Sequence, residues 1–225
     1  MKILIINPNS DLEMTRAIQQ TAEKFVDKDV HVVCMPTPNA PEFIETYEDQ
    51  LNAAPGMMKL VKEHENDFDG FVIACHCDPN LDAIKELTIK PVVGIGEASM
   101  KLASMLGDSF AVISMTEQSI PNKKALIRKY GLQDSMASVR APLNKDKGLD
   151  EEEKYLRTAK LAIQEDKAEV IVLGCAGMTG LDKKLEKELG VPVLDGVVCA
   201  LIIIIGFVKS GLSTSKVRRY KGLSS

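Results

Sequence analysis

The sequence predicts an α/β protein of two pseudosymmetric lobes, each built on a mainly parallel sheet, with a cleft between them. Three observations carry this. Short apolar runs alternate with amphipathic stretches of helical length along the whole chain, the pattern of strand–helix–strand units. The runs are apolar at every position rather than at alternate ones, as in strands covered on both faces. The chain also repeats itself.

In order, residues 2–6 (KILII) read as a buried strand, and Leu12, Ile18, Ala22 and Phe25 then recur near helical spacing. Residues 30–34 are rich in β-formers, and 71–74 (FVIA), 110–113 (FAVI) and 170–173 (VIVL) are further buried strands. Residues 91–93 and 192–194 are very short strands, each opened by a proline after a charged helix. Gly107, Gly131 and Gly190 stand where helices should end. Residues 36–41 (PTPNAP) and 142–148 (PLNKDKG) are irregular, and the charge run 150–154 suits the first turn of a helix. The run at 201–205 (LIIII) is β-prone, but its place after Asp195-Gly196 suits a closing helix, buried all round or paired with a second subunit. A homo-oligomer is expected on that ground.

The repeat aligns residues 70–98 with 169–200. Both run strand, Cys, small or polar turn, Leu, charged helix, Pro-Val strand, Gly. Cys75 and Cys175 are 100 positions apart, as are Leu81 and Leu181, while Pro91 and Pro192 are 101 apart. Residues 2–15 resemble 109–118 in the same way. The expected lobes are therefore 1–98 plus 196–225, which adds the C-terminal helix, and 99–195.

Composition excludes several classes. With 225 residues, 45% of them apolar and 27% charged, the chain is an ordinary globular one, large enough to bury a core. Net charge is −4 and there is no Trp, so nucleic-acid binding is not expected. The basic stretch 216–221 reads as a solvated tail. The longest run without polar side chains, 196–208, is 13 residues, short of the roughly 20 a membrane span needs. The first residues lack a secretory apolar region. A cytoplasmic protein acting on a small molecule, with no membrane, is the expectation. Five cysteines at 34, 75, 77, 175 and 199 are an odd, widely spaced set, so they read as thiols rather than a disulfide framework.

Cys75 and Cys175 carry the chemistry. Each closes the third strand of its half and leads into a helix, and ligands in open α/β sheets bind at such strand ends. Asp78-Pro79 reads as a helix N-cap and first residue. Gly174 and Gly177 permit a tight turn with inward N–H groups. Such settings favour a thiolate and an anionic ligand. Two symmetric thiols suit inversion at a carbon: one removes a proton from one face, the other returns one to the opposite face. A free thiol pKa of about 8.5 needs only a modest downward shift for this, and donors that stabilise an enolate oxygen complete the requirement without cofactor or metal. The set Cys75-His76-Cys77-Asp78 has poor spacing for zinc, and no second ligand pair exists. Cys34 and Cys199 lie in apolar runs and read as packing; His31 and His64 read as surface residues.

The chain resembles the Asp/Glu/hydantoin racemase superfamily, and within it the hydantoin/allantoin racemase branch. The resemblance rests on ILIINPNS with Thr15, A-C-x-x-D-P at 74–79, PVVGIGEA at 91–98, LGCAGM at 173–178 and GLSTSKVRRY at 211–220. It implies an Asp/Glu racemase-like two-lobed fold and cofactor-independent 1,1-proton transfer, with Cys75 and Cys175 catalytic. It further implies that Asn9, Ser10 and Thr116 hold the substrate's carbonyl or carboxylate, with the backbone N–H groups of His76, Cys77, Ala176 and Gly177. One departure is the His76-Cys77 pair, bulkier and more polar than the family's usual turn after the first cysteine.

Three other readings stay open. An aspartate or glutamate racemase would need the same thiol pair. A malonate-type decarboxylase of the superfamily keeps only the second cysteine, and a small-molecule binding protein would not need two thiols.

Overall fold

The computed structural model describes residues 1–143 and 148–222. Of the irregular stretch 142–148, residues 144–147 lie outside the described residues. The elements run β1 (Lys2–Asn7), α1 (Leu12–Phe25), β2 (His31–Pro36), α2 (Tyr47–His64), β3 (Gly70–Ile73), α3 (Leu81–Leu87), β4 (Val92–Gly94) and α4 (Ile95–Leu106). The second half follows with β5 (Phe110–Ile113), α5 (Ile120–Lys129), β6 (Met136–Arg140), α6 (Glu151–Asp166), β7 (Val170–Leu173), α7 (Asp182–Leu189), β8 (Val193–Leu194) and α8 (Gly196–Lys209). These form two four-stranded sheets, ordered β2-β1-β3-β4 and β6-β5-β7-β8, with every pairing parallel. The two orders are the same under the offset of the sequence repeat.

The chain divides into two compact units, Met1–Ile95 with the segment from Ala200 onward, and Gly96–Cys199. So α4, which follows the first sheet's last strand, belongs almost wholly to the second unit. Most of α8, which follows the second sheet's last strand, belongs to the first.

Both sheets are covered on both faces, which explains the unbroken apolar runs. In the first unit Leu4, Ile6, Phe71 and Ile73 pack with Met57, Leu60 and Val61 of α2 and Leu81 and Ile84 of α3. Ile3 and Ile5 point the other way and are also fully buried. In the second unit Ala111, Ile113, Ile171 and Leu173 face α6 and α7. Phe110, Val112, Val170 and Val172 face Met100 and Ala103 of α4 and Leu126 and Ile127 of α5. Each large aliphatic residue so buried contributes about 1.5–3 kcal/mol.

Helices α1, α2 and α6 start at polar caps. Asp11 accepts the N–H groups of Glu13 and Met14, Thr46 and Asp49 form a reciprocal capping box, and Asp150 accepts Glu153 N–H at 2.8 Å. The charge run 150–154 is thus the cap and first turn of α6. Residues 201–205 are helical, within α8. No described helix is long and apolar enough to cross a membrane.

Gly107, Gly131 and Gly190 follow the ends of α4, α5 and α7 as expected, the last two with left-handed φ of 72° and 69°. At Gly107 a side chain would press on Val170 and Glu169, so the glycine there permits close approach. One local expectation is corrected and one strand was not foreseen. The basic stretch 216–221 is no solvated tail. Lys216 Nζ donates to the carbonyls of Lys85 and Glu86 at the end of α3, and Arg219 and Tyr220 both bind Asp82. Strand β6, MASVR, has no apolar run because it is a half-exposed edge strand.

Candidate active site

Each unit presents one cysteine two residues beyond the third strand of its sheet, at the carboxyl end. In the first unit Ala74 N–H still bonds to Ile6 at 2.8 Å, and the chain then leaves the sheet. Residues 75–78 form a reverse turn closed by Asp78 N–H to the Cys75 carbonyl, 2.9 Å. The turn folds Cys77 back, so the Cys75 and Cys77 sulfurs lie 3.2 Å apart. Both cysteines are half-buried. His76 between them is fully buried, not at a solvent-facing rim.

A second turn follows over 78–81, closed by Leu81 N–H to the Asp78 carbonyl. Pro79 precedes Asn80, whose φ of 58° is left-handed, the order a type II turn requires. Helix α3 therefore begins at Leu81, not at Pro79. Asp78 does not cap it. Its carboxylate occupies the space where a Cβ on Gly94 would stand. Asn80 Nδ2 donates to the Gln50 carbonyl at 2.6 Å, tying the turn to α2.

In the second unit Gly174 N–H bonds to Ile113 at 2.8 Å, and a Cβ on Gly174 would stand 2.5 Å from that carbonyl oxygen. Glycine brings the cysteine this close to β5. Cys175 is extended and caps a single 3-10 turn, Ala176–Met178, with its Sγ accepting Gly177 N–H at 3.3 Å. Ala176 is buried and Gly177 exposed. A backbone N–H aimed at sulfur stabilises the thiolate form. The turn is anchored by buried Asp195. Its Oδ2 accepts Thr179 Oγ1 at 2.7 Å and Gly180 N–H at 2.8 Å, while its Oδ1 accepts Val197 N–H at 2.7 Å at the start of α8.

The polar turns stand beside these loops, because β1 neighbours β3 and β5 neighbours β7. Asn9 is buried. Its Oδ1 accepts Asn7 Nδ2 at 2.6 Å and Asp11 N–H at 3.1 Å, so that oxygen organises the turn. Ser10 is half-buried, with its N–H on the Pro41 carbonyl. Thr116 is exposed. Its carbonyl accepts Ser119 Oγ, which also bonds the Ser114 hydroxyl. Asn9, Ser10, His76 and Cys77 thus share one sheet end, and Thr116, Ala176 and Gly177 the other.

Sequence reasoning missed several residues. Asn7 is fully buried and ties Asn9 to Thr15 through Nδ2, and Thr37 Oγ1 donates to the Asn7 carbonyl. Asn7 lies in the polar NPNS run but ends the strand, so only its neighbours stood out. Tyr155 packs in the apolar cluster that Cys175 joins, its hydroxyl on Glu151 Oε2 at 2.8 Å. Burial first, then the Glu151 contact and the Cys175 charge, push its phenol well above the ordinary range. No local signal pairs residue 155 with 175. Asp195 was readable as a helix start, its grip on Thr179 was not.

The other cysteines differ. Burial pushes the thiols of Cys34 and Cys199 up to about 12, with the Asp195 and Asp182 charges adding at Cys199. Both are poor nucleophiles at neutral pH. Among the described residues no group of three or more His, Cys, Asp or Glu side chains is gathered for a metal.

Residues 3–202 match the family model for Asp/Glu/hydantoin racemases. A hydantoin racemase from Pseudomonas sp. (strain NS671) is 41% identical over 98% of this chain and 91% of its own length. One from Paenarthrobacter aurescens is 38% identical over 98% and 97%. The crystal structure of allantoin racemase from Pseudomonas fluorescens superposes with a TM-score of 0.93 at 34% identity, covering 100% of this chain and 98% of that one. These relations make the chain an isomerase of the racemase type and a member of the Asp/Glu/hydantoin racemase family.

Proposed function

We propose that this chain is a cofactor-independent racemase that inverts a carbon next to a carbonyl by two-thiol proton transfer, on a hydantoin- or allantoin-type substrate. The observation that carries the reading is the pair of equivalent thiols, each two residues past the third strand of its own sheet. The substrate class draws on the names of the relatives and on the polar turns beside each thiol.

In this mechanism the thiolate of one cysteine takes the proton from the substrate carbon, and its electrons delocalise into the adjacent carbonyl. The thiol of the other cysteine returns a proton to the opposite face. The two then stand in exchanged protonation states, ready for the reverse direction. Asn9, Ser10 and Thr116 hold the substrate's carbonyl groups. The N–H groups of His76, Cys77, Ala176 and Gly177 stabilise the oxygen that gains charge. The enzyme works in the cytoplasm and as a homo-oligomer, the association being supported by the exposed apolar Ile202 and Phe207 on α8.

Loss of optical rotation across 5-substituted hydantoins, allantoin, aspartate and glutamate identifies the substrate. Proton NMR in heavy water then tests the mechanism. Cys75→Ser and Cys175→Ser should each lose racemisation by ~10²–10⁴-fold. Each should still exchange the α-hydrogen of one enantiomer, and the two should choose opposite enantiomers. Near-parental racemisation by either variant, or exchange of the same enantiomer by both, overturns the assignment.

A further inference from the structure

We infer that Cys75 and Cys77 form an oxidisable dithiol, a covalent modification site that closes to a disulfide and withdraws the Cys75 thiol from catalysis. The proton-transfer reading leaves the Cys77 side chain without a task. Yet the 75–78 turn sets its sulfur 3.2 Å from that of Cys75. Residues two apart in an extended strand stand nearly 7 Å apart along the chain, so the contact is made by the turn. A disulfide is about 2.05 Å long. Closing the remaining gap of roughly 1.2 Å is within the reach of side-chain rotation. Both cysteines are half-exposed, open to a small oxidant. At Cys175 the sulfur accepts the Gly177 N–H at 3.3 Å.

The oxidant is a hydroperoxide. The thiolate of Cys75 attacks one peroxide oxygen, the O–O bond breaks, and hydroxide leaves, giving a sulfenic acid. The Cys77 thiolate attacks that sulfur, the S–S bond forms, and a second hydroxide leaves. With the two thiol protons, the balance is one disulfide and two waters from two thiols and one hydrogen peroxide. A dithiol reductant reverses it through a mixed disulfide. Cys77 thereby traps the sulfenic acid before it reaches the irreversible sulfinic state.

The test uses the full chain treated with hydrogen peroxide, denatured, alkylated with iodoacetamide and cut with trypsin. The tryptic peptide 63–85 contains Cys75 and Cys77 and no other cysteine. It should escape alkylation, weigh two hydrogens less than the reduced peptide, and become doubly alkylated after dithiothreitol. In Cys77→Ser the peptide should instead carry a sulfenic acid at Cys75, trapped by a 1,3-dione probe. Double alkylation after peroxide, separate oxygen adducts on the two sulfurs in the parent, or a cross-link to Cys175 or a second chain overturns the proposal.

The activity consequence rests on the catalytic role proposed for Cys75. Oxidised parent protein should lose racemisation by ~10²-fold or more and recover it with dithiothreitol. If the disulfide forms and racemisation is unchanged, the covalent site stands, while the withdrawal of a catalytic thiol and the role of Cys75 both fall.

Discussion

The two cysteine turns occupy the same place in two sheets of the same strand order, yet they are held in opposite ways. At Cys175 the carboxylate that anchors the turn comes from the far side, from Asp195 at the end of β8, and reaches back to Thr179 and Gly180. At Cys75 the carboxylate comes from the turn itself. Asp78 reaches toward β4 and fills the space left by Gly94. The offset of 101 that pairs Pro91 with Pro192 pairs Gly94 with Asp195. One buried carboxylate thus bridges turn and fourth strand in each half, supplied from opposite ends of the contact. The repeat preserves a position for charge and leaves open which residue fills it.

The largest effect should come from removing the second anchor. In Asp195→Asn one acceptor oxygen becomes a donor facing donors, and at least one buried hydrogen bond is lost. A cost of ~2–4 kcal/mol is expected, a fall in Tm of roughly 4–16 °C for a chain of this size. Calorimetry with racemase assays should show both stability and rate fall. An unchanged Tm would mean the anchor is redundant. Gly94→Ala attacks the first anchor from the other side, because its methyl meets the Asp78 carboxylate and Leu81. Overpacking of this kind costs ~1–3 kcal/mol, and the rate of the first half-reaction, read by enantiomer-specific exchange, should fall more than that of the second.

A smaller effect tests the edge of the second sheet. Arg140, at the end of β6, binds Asp166 and Glu165 at the end of α6. Its guanidinium holds the Asp166 carboxyl below the usual range. That stabilisation is complete above the ordinary aspartate value, about 3.9, and disappears as pH falls through the lower folded value. Arg140→Gln should therefore lose ~1–2 kcal/mol at neutral pH. The gap to the parent should shrink as pH is lowered below about 4. A constant gap across urea titrations at several pH values would reject the linkage.

The smallest effect is expected at the thiols away from the turns. With pKa values near 12, only ~10⁻⁴ of Cys34 or Cys199 is thiolate at pH 8. Cys34→Ser and Cys199→Ser should racemise like the parent, and neither residue should react with iodoacetamide in the native protein.

The strands that were legible in sequence are those buried on both faces. FAVI and VIVL are β5 and β7 residue for residue, because continuous burial writes a continuous apolar run. Strand β6 was illegible for the complementary reason, since MASVR at a sheet edge needs no such run. The two thiols were readable from the repeat, but their surroundings were not. Asp78-Pro79 reads as a helix start, yet the same pair also opens a reverse turn. Its outcome depends on Asn80 finding the Gln50 carbonyl 30 residues away. The hydrogen bond of Asp195 with Thr179, and the apolar cluster that Cys175 and Tyr155 share, span 16 and 20 positions, beyond any local pattern.

Each compact unit counts among its parts a helix that follows the other sheet in chain order, α4 in one and most of α8 in the other. The unit Gly96–Cys199 is one unbroken segment, whereas the first is assembled from two segments that flank it. As the chain is synthesised from its N-terminus, the first unit can therefore be completed only after the whole of the second has been made.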